Sequence, residues 1–159
     1  MPTVRQTKSE SLAVLRRYVE LGANFLDTAE IYGPYKNEEL LGRFLREASR
    51  ERLVIATKVR FSDRGRRKQR DGQLACRTFE RRCEGSLKRL GIETIDSCYQ
   101  HRVDPGIPIE ETVGAMAQLV QAGKVRWLRT LGGGSRHPET RKRGPPDYRA
   151  SVRILTLVS

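Results

Sequence analysis

Four polar side chains stand at the ends of apolar runs. Asp27 closes NFLDT, Lys58 closes LVIATK, His101 closes IDSCYQH, and Tyr32 follows Asp27 in DTAEIYG. An acid, an amine, an imidazole and a phenol together make a proton-transfer set. A phenol that titrates near about 10 is a poor acid at neutral pH. An ammonium beside it favours the phenolate and so eases release of the proton. Asp27 would pair with Lys58 and keep it charged and oriented, while His101 would hydrogen-bond the same substrate oxygen. The product is a general acid for an oxyanion forming on a carbonyl. Nothing in the set supplies electrons, so a reduction needs a hydride donor such as a nicotinamide. Singly, each is an ordinary polar residue at a strand end. Four of complementary type at equivalent places point to one site.

Such a site requires parallel strands, and the patterning provides them. Leu12, Leu15 and Val19 make a helical stripe that Gly22 stops, and Asn24 to Thr28 reads as a short strand. Asn37 is expected as an N-cap ahead of Leu40, Leu41, Phe44 and Leu45. Leu53 to Val59 reads as a buried strand. Phe79, Cys83, Leu87 and Leu90 share one side of a helix ending at Gly91, and Ile95 to Tyr99 is the next strand. Pro108 opens a helix carrying Ile109, Val113, Met116 and Val120, which Gly123 closes, and Val125 to Leu128 begins another strand. Alternation of helices and strands with short connections gives parallel strands, in a βα barrel or a doubly wound sheet. Their C-terminal ends converge on one face, where such folds hold their active sites.

The chain has 159 residues and a formal charge of +12, with 31 basic and 19 acidic residues. The excess sits in two irregular stretches, 60–70 and 129–159, each net +5, and the remainder is near balance. Neither stretch interleaves the aromatics of a base-stacking groove, so no nucleic-acid partner is expected. No apolar run is long enough to span a membrane, and the first ten residues lack a secretion signal, so a cytoplasmic protein is expected. Cys76, Cys83 and Cys98 have no CxxC spacing, and with only His101 and His137 neither a disulfide framework nor a metal site is expected. Gly132, Gly133 and Gly134 lack the strand-to-helix setting of a phosphate loop and read as a linker.

The segments NFLDTAEIYGPYKNEELLGRFL, LVIATKV and EGSLKRLGIETIDSCYQHRVDPGIPIEETVGAMAQLVQAGKVRWL resemble the aldo-keto reductases, most closely the bacterial Tas or pyridoxal-reductase type. The resemblance covers roughly residues 8–59 and 83–128. It implies a (β/α)8 TIM barrel and NADPH-dependent reduction of an aldehyde or ketone. It carries the catalytic tetrad onto Asp27, Tyr32, Lys58 and His101, with Tyr32 as proton donor. The fold expected is therefore α/β, a partial barrel of about the first half without its first strand, followed by an irregular C-terminal tail. Residues 1–128 would be the barrel part, with a basic irregular loop at 60–82, and 129–159 the tail. Cofactor-binding residues are left unassigned.

Departures from the family set further expectations. A full barrel takes about 250 residues. Where the family continues with Gly-Leu-Ser-Glu-Ala after KVRWL, this chain reads RTLGGGS. Codons ACT CTC GGA GGC GGC AGC encode Thr130 to Ser135 and, read one base later, give Leu-Ser-Glu-Ala-Ala. Codons CGA ATA CTC ACT CTG GTC TCG encode Arg153 to Ser159 and, one base later, give the family-like Glu-Tyr-Ser-Leu-Trp-Ser. A frameshifted reading from about residue 129 onward is the expectation. A four-strand part-barrel would expose both sheet edges and be marginally stable. Its expected state alone is a catalytically inactive remnant of such an enzyme.

Overall fold

The computed structural model describes residues 7–60, 72–102, 107–130 and 154–156, with the backbone alone for 72–76, 130 and 154–156. Most of the basic stretch 60–70, the three consecutive glycines and most of the tail lie outside the described residues. So do the side chain of Cys76 and all of His137.

Helix α1 is Lys8–Glu20, opened by a capping box in which Thr7 and Glu10 exchange hydrogen bonds. Strand β1 is Phe25–Asp27 and helix α2 is Lys36–Leu45. A short 3-10 turn, Arg50–Arg52, leads into β2, Val54–Val59. Helix α3 is Gly72–Leu90, β3 is Ile95–Gln100, α4 is Ile109–Gln121 and β4 is Val125–Thr130. A last short strand, β5, is Ile154–Thr156. The sheet order is β4-β3-β2-β1-β5, and every neighbouring pair is parallel. Strands β1 to β4 lie side by side in chain order. A doubly wound sheet would reverse that order part-way, so this is the single winding of a barrel wall.

Residue alternation along the strands divides the sheet into two faces. Leu26, Ile55, Val59 and Cys98 join Leu15, Leu41, Phe44, Phe79, Leu90, Met116 and Leu119 in one buried cluster between sheet and helices. Close packing reaches the backbone: a methyl group at Gly42 of α2 would stand 2.2 Å from the Arg89 carbonyl oxygen of α3. The other face carries Asp27, Ala56 and Lys58, and beside them Ser97, Tyr99 and Trp127.

Four expectations change. Helix α3 begins at Gly72, so the irregular loop expected over 60–82 is helical through about its second half; Phe79 fixes it by burying completely. Asn37 is not the N-cap of α2. That position is Tyr35, left-handed at φ 68°, while Asn37 is buried and accepts the Thr28 hydroxyl at 2.7 Å. In α4, Val113 and Val120 face outward and Thr112, Ala115, Met116 and Leu119 face the core. The apolar residues there fit two faces, and packing against α3 selects the one that carries Ala115, Met116 and Leu119. Finally, the tail is not wholly irregular. The Ile-Leu-Thr run pairs along β1, with Asp27 opposite Thr156. It satisfies backbone groups that β1 would otherwise leave open, so β1 is interior and the edges of the described sheet are β4 and β5.

Candidate active site

Each tetrad residue is placed by a strand end or the turn that follows it. Beyond Asp27 the chain stays tied to β2, with the Thr28 N–H donating to the Ala56 carbonyl at 2.9 Å and the Glu30 N–H to the Lys58 carbonyl at 3.3 Å. It then turns sharply. The Tyr32 N–H reaches the Ala29 carbonyl at 3.0 Å and the Tyr35 N–H the Glu30 carbonyl at 2.9 Å. Gly33 at φ 58° and Tyr35 at φ 68° allow the reversal. This folds Tyr32 back toward the sheet. On β3, the His101 N–H donates to the Val59 carbonyl at 2.9 Å, continuing the ladder just past the strand.

All four residues come together. Lys58 Nζ donates to Asp27 Oδ2 at 2.5 Å and to the Thr28 carbonyl at 3.0 Å. The pair is nearly buried, with side-chain exposures of 10% and 13%. The ammonium lies 5.1 Å from the centroid of the Tyr32 ring, and Tyr32 meets His101 edge to face, with ring centroids 6.2 Å apart. Burial pushes the His101 imidazole below its usual range. The positive charges of Arg60, Lys58 and Arg102 push it the same way, and Asp27 opposes them. His101 is therefore neutral at pH 7, with one ring nitrogen a donor and the other an acceptor. Its Nδ1 and the Asp27 Oδ1 are buried and have no hydrogen-bond partner among the described residues. A polar ligand oxygen or water entering the site would meet unsatisfied groups on two sides.

Sequence reasoning missed the carboxylates behind this site. Glu30 and Glu38, 1% and 0% exposed, lie on the helix side and pair with Arg82 and Arg89 of α3. Both sit in an ordinary loop-and-helix stretch rich in charge, where a solvated face was the natural reading.

No group of three or more His, Cys, Asp or Glu side chains suited to a metal occurs among the described residues. The aldo/keto reductase family model matches residues 2–128. The chain belongs to that family. As an aldo/keto reductase chain it is 41% identical over 123 residues to "Probable aldo-keto reductase 1" of Glycine max, covering 76% of this chain and 35% of that protein. A crystal structure of an aldo-keto reductase from Klebsiella pneumoniae in complex with NADPH superposes with a TM-score of 0.66 at 32% identity, over 77% of this chain and 39% of that one. The holo form of an aldo-keto reductase from Bacillus halodurans gives 0.65 at 28% identity, over 78% and 41%. This aldo/keto reductase chain thus spans about two-fifths of the length of the relatives it matches, and the partial barrel corresponds to that share. No described helix is long and apolar enough to cross a membrane.

Proposed function

We propose that the site reduces an aldehyde or ketone to an alcohol with NADPH, Tyr32 being the proton donor. The single observation that carries this is the close grouping of Lys58, Asp27, Tyr32 and His101 at the C-terminal ends of parallel strands. The family and the NADPH complex of a relative support the cofactor. When bound, a reduced nicotinamide would supply the hydride that the carbonyl carbon receives.

The chain's own residues do the rest. Tyr32 gives its hydroxyl proton to the carbonyl oxygen as negative charge develops there. Lys58 keeps positive charge beside the phenol, and Asp27 holds Lys58 in place. Neutral His101 orients the carbonyl through a ring nitrogen. The unpartnered Asp27 Oδ1 and His101 Nδ1 fit a site that awaits polar ligand atoms. The tetrad would meet the reacting end of the cofactor; no described segment is assigned to its phosphates. Residues 129–159 fall beyond the family match and receive no catalytic role.

A second reading is a family site without turnover, favoured by a sheet that is open at both β4 and β5. Fluorescence titration of the purified, monodisperse chain with NADPH tests both, followed by initial rates on a simple aldehyde with wild type and Tyr32→Phe. Saturable binding and turnover lost in the variant support reduction. A folded chain that binds no NADPH leaves the second reading.

A further inference from the structure

Lys58 is held from behind as well as in front. Thr57 precedes it with its side chain on the helix-covered face. The Thr57 hydroxyl donates to Glu38 Oε1 at 2.7 Å, and Glu38 Oε2 accepts from Arg89 Nε at 2.6 Å. On the other flank, Glu30 Oε1 accepts the Arg60 N–H at 3.1 Å and an Arg82 guanidinium N–H at 2.7 Å, while the Glu30 N–H donates to the Lys58 carbonyl. Arg82 and Arg89 are two turns apart on α3 and so share one face of it. Arg89 also lies over the Tyr35 ring, 4.4 Å from its centroid, at the residue whose left-handed conformation starts α2.

We infer that Glu30 and Glu38, each paired with an arginine of α3, are positioning residues that fix the β2 backbone on both sides of Lys58 and thereby aim its ammonium at Asp27 and Tyr32. The physical reason lies in what an ordinary strand would leave loose. The parallel ladder fixes the backbone of β2, but Lys58 is next to its last residue, where pairing ends. A lysine stem has four rotatable bonds, so a small swing of its Cα–Cβ direction moves Nζ by more than a hydrogen bond tolerates. Pinning the preceding side chain, the carbonyl of Lys58 and the amide two residues on removes that swing. Buried carboxylates suit this task because each accepts several directed bonds, and a buried carboxylate needs its cation to be tolerated. This role rests on Lys58 being the tetrad lysine.

The test reads Lys58 itself. In the full chain with isotope-labelled lysine, ammonium-selected NMR reports the shift and hydrogen exchange of the Lys58 Nζ group, assigned by its absence in Lys58→Met. Wild type should show a protected ammonium. Thr57→Val removes only the link from the strand to Glu38 and should speed that exchange by about tenfold, while amide protection in α4 stays as in wild type. Thr57→Ser should restore it, and Glu30→Gln gives a second, independent loosening should Thr57→Val fail to fold. Three results overturn the inference: no protected Lys58 ammonium in wild type, an unchanged ammonium in both variants, or equal loss at Lys58 and in α4, which means general destabilisation. An ammonium that behaves as expected in a chain whose carbonyl reduction is absent, or is indifferent to Tyr32→Phe, sinks the proposed reaction and leaves the positioning role standing.

Discussion

Lys58 Nζ lies 2.5 Å from Asp27 Oδ2 across two neighbouring parallel strands, although the two residues are 31 positions apart in the chain. The register makes this possible: Asp27 pairs with Ala56, so Lys58 reaches back over one residue of its own strand to the end of the next. Both side chains are almost covered.

Breaking this pair from one side should cost more than its net worth. Lys58→Met leaves the Asp27 carboxylate buried without its cation, a situation that costs about 3 kcal/mol in comparable pairs. Asp27→Leu added to Lys58→Met should recover most of the loss. Urea unfolding of the single and double variants checks this, and equal stabilities would contradict it.

Removing the Tyr32 hydroxyl should abolish the proposed reduction and spare the fold. Tyr32→Phe keeps the ring against His101 and loses the proton, so carbonyl reduction should fall by about a hundredfold or more. NADPH affinity and the thermal midpoint should hold. Steady-state rates and a calorimetric scan on the same preparation decide it.

Stability should depend on pH through His101. Its folded pKa is lowered by burial and neighbouring cations, so the unfolded chain binds this proton more tightly. Below about 6.5, the ordinary value, the unfolded state gains the proton first, and stability falls as pH falls until the folded imidazole is protonated too. The slope contributed is at most one proton. Urea midpoints across that window should fall less steeply in His101→Gln than in wild type.

Two glycine-to-alanine changes should have opposite signs. At Gly42 the added methyl meets the Arg89 carbonyl, and separating α2 from α3 should cost about 1–3 kcal/mol. Gly114 lies inside α4 with open space around it, and alanine there should stabilise by about 0.5–1 kcal/mol. Chemical denaturation of both variants makes the comparison.

The sequence alone determined the winding and singled out the four candidate residues that the fold brings together. Period and punctuation separate helices from strands over α1 to β4, because local hydrophobic patterning and stop residues such as Gly22, Gly91 and Gly123 act within a few residues. All three glycines adopt positive φ. Parallel strands then force Asp27, Lys58 and His101 to one end, and motif likeness names their chemistry. Tertiary structure decided what depends on partners distant in sequence. Val113 and Val120 lost the core to Ala115 and Leu119 because the facing helix, not the apolar count, selects the buried side. Asn37 left its expected capping role because Thr28 lies within reach of it only once β1 and α2 are packed. Glu30 and Glu38 look like surface charge until α3 brings Arg82 and Arg89 to them. Ile154 to Thr156 found β1 because an unpaired strand edge accepts backbone partners whatever their side chains. Pairing across long stretches of chain is set by geometry that no local pattern encodes.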